Sequence, residues 1–198
     1  MAIKFQYNKT SLHEINKQLK VRIRALPTLK NKESALRMEV KRAKDKTIEL
    51  NELFEKEIKN YENLARLWNE FDINLVDIED VKLSYKKIAG VSIPILENVI
   101  FKVKIFSLFT APDWFLMGIE IIKNILKIAY EREVFKMKMK ILEHARRKTT
   151  QKVNLYEKVQ IPGYEDAIRK IKRFLEDEEN LSKSAQKILK SRTQDFGD

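Results

Sequence analysis

Two long stretches of this chain, Leu12 to Phe71 and Ile119 to Ile188, carry apolar or small residues at intervals of three and four, with charged residues between them. The first stripe runs through Leu12, Ile15, Leu19, Ile23, Leu26 and Leu29, continues through Leu36, Val40, Ala43, Leu50, Phe54 and Ile58, and ends at Tyr61, Leu64, Trp68 and Phe71. An interval near 3.5 keeps one edge of a helix against a partner over many turns. A helix of about 60 residues is about 90 Å long at 1.5 Å per residue, so its stripe needs an equally long partner. The second stretch is of matching length. The predicted fold is therefore mainly α: a long antiparallel two-helix coiled coil from the N- and C-terminal segments, with a short β-hairpin in the middle. Its parts are an N-terminal helix within 1–71, a middle segment within 72–111, and a C-terminal helix and tail within 112–198. Both termini are expected at one tip.

The hairpin is read from a change of period. Val91, Ile93 and Ile95 alternate, as do Phe101, Val103 and Ile105 against Lys102 and Lys104, with Glu97-Asn98 as turn residues. This places it at about 91–106, with Pro94 at an exposed or edge position. An isolated hairpin is marginally stable, so this one must pack on the helices or on another protein. Ser11-Leu12-His13-Glu14 has capping-box spacing and predicts a helix start near Thr10 or Ser11. Thr110-Ala111-Pro112-Asp113 reads as the start of the last helix. Pro27 and Ile161-Pro162-Gly163 lie inside the stripes and predict kinks, close together if the helices are antiparallel. In the second stretch the inward positions are read as Ile119, Ile122, Leu126, Ala129, Val134, Met137, Ile141, Leu155, Val159, Ile168, Ile171, Leu175, Leu181, Ala185 and Ile188.

Charge is unevenly spread. Residues 1–60 hold 15 basic and 8 acidic side chains, residues 61–126 hold 7 and 9, and residues 127–198 hold 18 and 12. Basic arms suit a phosphate backbone, a membrane surface or an acidic protein cavity, and equally a solvated coiled-coil exterior. Without cysteine there is no disulfide, thiolate metal site or cysteine nucleophile, which agrees with a reducing compartment and a cytoplasmic location. No secretory signal is visible, and the apolar region Ile88 to Ala129 is too interrupted by charge to span a bilayer. None of the four glycines stands before a lysine as a nucleotide cradle requires. His13 and His144 are single and take surface or stripe positions. Glu176-Asp177-Glu178-Glu179 points in several directions as a solvated face. Trp68 and Trp114 read as packing anchors. No catalytic residue, cofactor or metal site is expected.

Four blocks in order resemble the D subunits of V-type (vacuolar and archaeal-type) ATPases: Asn8-Lys9-Thr10-Ser11-Leu12, Leu26-Pro27-Thr28-Leu29-Lys30-Asn31-Lys32, Gly90-Val91-Ser92-Ile93-Pro94, and Lys152-Val153-Asn154-Leu155-Tyr156-Glu157 with Ile161-Pro162. Two positions depart from the family pattern, Lys152 in place of arginine and Ala25-Leu26-Pro27 in place of a glycine-histidine. The resemblance implies the central-stalk rotor of a rotary ATPase. Its paired terminal helices would enter the ring of catalytic and nucleotide-binding subunits (A and B). The hairpin end would lie toward the membrane sector, beside the small F subunit and the funnel-shaped C/d subunit that links the shaft to the membrane ring. The chain itself would be non-catalytic, peripheral to the membrane and without nucleic acid. Lys4, Lys9, Lys183, Lys187, Lys190 and Arg192 would then face the ring. Tyr61, Leu64 and Trp68, with Val91, Ile93, Phe101, Val103 and Trp114, would meet the F subunit or the other partners at the hairpin end. A prefoldin-like chaperone subunit is the alternative, distinguished by shorter arms without internal prolines. A basic coiled coil binding nucleic acid comes third, since Lys outnumbers Arg and Arg146-Arg147-Lys148 is the only tight basic run.

Overall fold

The structure, a computed structural model, describes residues 3–62, 70–72, 75–106 and 112–195, with the backbone alone for 62 and 192–195. It contains α1 (Lys9–Glu62), β1 (Val76–Ile88), β2 (Val91–Val103), α2 (Phe115–Asn154) and α3 (Ile161–Asp195), with a π-helical turn at Leu155–Gln160 joining the last two. The chain divides into a terminal unit, Met1–Lys32 with Thr149–Asp198, and a middle unit, Glu33–Lys148.

In the terminal unit α1 starts at Lys9, one or two residues before the start the capping box suggests. Asn8 is the cap: its side-chain oxygen accepts the Ser11 N–H at 2.7 Å, while the Ser11 hydroxyl oxygen accepts the Gln6 N–H at 3.3 Å. Asparagine suits this position because its short carbonyl reaches the free donors of the first turn. The helices are antiparallel here. Ile15 packs with Ala167 and Ile171, Arg22 bonds to Gln160, and Lys30 pairs with Glu157. The segment before α1 lies along α3: Phe5 joins the same cluster, and Tyr7 stacks on Phe174 with ring centroids 4.9 Å apart.

α1 passes through Pro27 without a break. The second helical stretch does change form, just before Pro162. Pro162 has no N–H and its ring crowds the carbonyl four residues back, so the preceding turn widens. Ile161 N–H donates to the Tyr156 carbonyl five residues earlier, the π pattern.

In the middle unit Leu36, Ala43, Ile93 and Leu142 form a core, and Thr47, also buried, donates its hydroxyl to the Ala43 carbonyl at 2.7 Å. The hairpin differs from its sequence reading. Val91–Val103 is one strand, its partner is Val76–Ile88, and the turn is Ala89-Gly90, both with positive φ (49° and 76°). Two successive left-handed residues give the tight turn whose twist matches antiparallel strands. Glu97, read as a turn residue, is instead a bulge: Lys82 pairs with Asn98 and Leu83 with Leu96, leaving Glu97 unmatched. Pro94 pairs with Tyr85 on a strand that has a neighbour on one side only, so the edge position holds, but Pro94 is buried. The last helix begins at Phe115, later than Thr110-Ala111 suggests; Pro112 precedes it and accepts the Phe115 N–H at 3.0 Å. Thr110 and Ala111 themselves lie outside the described residues.

The stripe on α2 and α3 follows the expected face at Ile119, Val134 and Ile171, but the other buried side chains between are Ile121, Leu142, Thr149, Val153 and Ala167. Met137, Ile141, Leu155 and Val159 are exposed. Apolar residues occupy two faces around Met137 to Leu142, and the π turn then alters the angle per residue, so a steady 3.5 interval selects the wrong face.

Candidate partner-binding surfaces

In the terminal unit every residue from Glu176 to Ser191 is exposed. α3 runs on where α1 no longer covers it, since the partners of α1 near its start, Ile15 and Leu12, reach only as far as Leu175. Leu181, Ile188 and Leu189 are 73%, 55% and 63% exposed on this end, between the exposed Lys183, Lys187 and Lys190. Lys4 and Lys9 are exposed beside α1's start. Five of the six lysine and arginine positions expected to face a ring thus lie exposed in one unit; the sixth, Arg192, has its side chain outside the described residues. The acidic run is part of the same surface. Glu179 pairs with Lys183 at 2.7 Å, and Lys183, with Lys9 nearby, holds its carboxyl below the ordinary value. Lys9, Lys172, Leu175, Glu176, Glu178, Glu179 and Ser182 line a shallow groove of about 630 Å³.

In the middle unit the expected hairpin-end residues are mostly used internally. Ile93 is fully buried, and Val91 packs on the same core of Leu36, Ala43 and Leu142. Phe101, Val103 and Trp114 pack around Phe71, Leu75, Val76 and Ile119. Trp114 is the anchor its type suggested, with ring centroids 5.6 Å from Phe71 and 5.1 Å from Phe115. Tyr61 is half-buried at the end of α1. Leu64 and Trp68 lie outside the described residues. The hairpin therefore spends its inward face holding itself to α1 and α2.

The large apolar side chains this unit leaves exposed are a different set. Tyr85 is 70% exposed on β1, Leu116 and Met117 are 56% and 65% exposed at the start of α2, and Ile105 is fully exposed after β2. The signal for two of these was present, because the run Phe115-Leu116-Met117 cannot turn three consecutive helical side chains to one side. A half-enclosed cleft of about 400 Å³ also lies between β2 and α2, floored by Pro94, Val99, Val134 and Phe135 and flanked by Lys127, Glu131 and Lys138. Nearby on α2, Glu143 accepts hydrogen bonds from Arg146 and Arg147 at 2.7 and 3.1 Å, and the bond from Arg146 leads in pulling its carboxyl down to about 2. Among the described residues no three histidine, aspartate or glutamate side chains gather as a metal would require.

Residues 11–191 match the family model of the ATP synthase D subunit. This chain belongs to the family of ATP synthase D subunits. The match takes in α1, the hairpin and α2, and α3 nearly to its end. The D subunit of the V-type ATP synthase of Borreliella burgdorferi is 32% identical over 192 residues, covering 95% of this chain and 94% of that one. Those of Chlamydia pneumoniae and Chlamydia abortus are 30% and 28% identical over 186 and 174 residues, covering 89% and 85% of this chain and 87% and 84% of theirs. Neither the chaperone reading nor the nucleic-acid reading finds support in this relationship. No helix among the described residues is long and apolar enough to cross a membrane.

Proposed function

We propose that this chain is the central-stalk rotor subunit of a V-type rotary ATPase, mechanically coupling ATP hydrolysis or synthesis in a catalytic ring to ion translocation in a membrane sector. The observation that carries this reading is the family match over residues 11–191, which spans both long helical stretches and the hairpin. The chain has no catalytic task of its own. It acts by contact: a rotor biases each catalytic site only as far as its surface interacts differently with the states of that site. The lysine-bordered end of α3, with its exposed Leu181, Ile188 and Leu189, suits the ring of A and B subunits. Tyr85, Leu116 and Met117 suit partners at the hairpin end, the F subunit and the C/d linker among them. The chain is peripheral to the membrane, on the cytoplasmic side.

The test uses the absence of cysteine. A cysteine introduced at Ser184 or Ser191, both exposed on α3, is paired with one on the inner surface of a single catalytic subunit and oxidised. A rotor must visit all three catalytic positions in turn, so this bond should stop sustained ATP hydrolysis and reduction should restore it. Full activity in the cross-linked complex is the result that rules out rotation at this point.

A further inference from the structure

The π-helical turn at Leu155–Gln160 has no buried residue, so no core side chain within the turn itself fixes its winding. Its conversion to an ordinary α turn would rotate everything that follows by on the order of 100°. The flanking buried residues are Val153 and Ala167. Between them the half-buried positions are Tyr156, Gln160, Ile161, Gly163, Tyr164 and Asp166, so Ile161 is the one aliphatic side chain among polar and aromatic groups. The fully buried contacts that join α3 to α1 beyond the turn begin only at Ala167, which packs with Ile15 and Ile171. The hydrophobic effect is non-directional, whereas a hydrogen bond prefers one alignment of its donor and acceptor.

Arg22 of α1 makes such a bond to the turn itself. Its Nη1 donates to the Gln18 carbonyl at 3.0 Å and to Gln18 Oε1 at 2.6 Å, which anchors the guanidinium to its own helix. Its Nε donates to Gln160 Oε1 at 2.7 Å, on the last residue of the π turn. The guanidinium lies 4.6 Å from the Tyr164 ring centre and 5.9 Å from that of Tyr156. A planar fork held at both ends and stacked on a ring defines an angle, as an ammonium could not. Two turns further along α1, Lys30 reaches Glu157 at 2.6 Å, a second tie to the same turn.

We propose that Arg22 is the positioning residue that sets the rotational phase of α3 against α1 across the π turn, so that turning force on α3 passes to α1 through directed hydrogen bonds. This rests on the rotor reading. Its test is torsional. In the assembled motor the catalytic ring is fixed to a surface, a bead is attached at the Ala89-Gly90 turn, and rotation is arrested with a non-hydrolysable ATP analogue. The spread of the bead's angular fluctuation then reports stiffness. Arg22→Met keeps the stacked stem and removes the donors, Gln160→Leu removes the acceptor, and Gln160→Glu retains it with opposite charge. The angular variance should rise about twofold in Arg22→Met and Gln160→Leu, where a charge-assisted hydrogen bond is lost, and stay near its original value in Gln160→Glu. Melting temperatures within a few degrees of one another separate this from general loosening. Should Arg22→Met fail to fold, the two Gln160 variants decide alone. A bead that turns with ATP but shows equal variance in Gln160→Leu and Gln160→Glu overturns the proposal and leaves the rotor reading intact. A bead on the unaltered chain that never turns with ATP overturns the rotor reading, and this proposal with it.

Discussion

Gly118 is where single atoms decide the packing of the middle unit. A Cβ there would sit 3.0 Å from both Phe71 Cε2 and Trp114 Cζ3, rings that cannot yield as a flexible chain end does. Gly118→Ala should therefore cost about 1–3 kcal/mol despite alanine's better helix propensity, read from denaturant midpoints at constant slope. Glu143 gives a pH signature. Its carboxyl is lowered from 4.5 to about 2 by Arg146 and Arg147, so its stabilising contribution is complete above 4.5 and disappears as pH falls to 2. Glu143→Gln should flatten the loss of stability across that window; an unchanged slope would mean the arginine pairs contribute nothing. At this scale residue types were legible where one neighbour settles the matter. Trp114 as an anchor is such a case. Arg22 was not, because its role depends on Gln160 and Tyr164, more than 130 positions away, and no local pattern marks that meeting.

The elements were legible by kind and less so by boundary. Both long helices announce themselves through repeated apolar intervals, whereas the turn at Ala89-Gly90 did not, because the alternation of Val91, Ile93 and Ile95 drew the reading on to Glu97-Asn98. The hairpin's register was hidden because β1 reads as Asp77, Glu79, Asp80, Lys82, Lys86 and Lys87 among its apolar residues, a strand exposed along much of its length. Burial on one face needs only a few apolar residues, so composition gave it no voice. The π turn was hidden for a related reason: Pro162 signals that a helix must change, but not whether it breaks, bends or widens. The turn itself yields a prediction. Ala89 holds φ of 49°, a region costly for a residue with a Cβ. Ala89→Gly should stabilise the hairpin by about 1 kcal/mol, seen as slower amide exchange along Val91 to Ile95. A loss of protection there would show that the strand ends, not the turn, limit its opening.

For the whole molecule the uneven charge becomes a statement about assembly. Lys4, Lys9, Lys183, Lys187 and Lys190 are all exposed in the terminal unit, so association with a catalytic ring should weaken as ionic strength rises from 0.05 to 0.5 M, mainly through a slower on-rate (values on the scale over which the Debye length falls, about 14 to 4 Å). Binding indifferent to salt would shift the weight to Leu181, Ile188 and Leu189. Those three side chains have a further consequence, one for the cell that makes the protein. A copy released before its partners are available displays leucine and isoleucine on a naked helix end, the kind of surface that chaperones hold and proteases enter. Surplus copies should be short-lived, and the abundance of this chain should follow that of whatever covers α3, however strongly its own message is expressed.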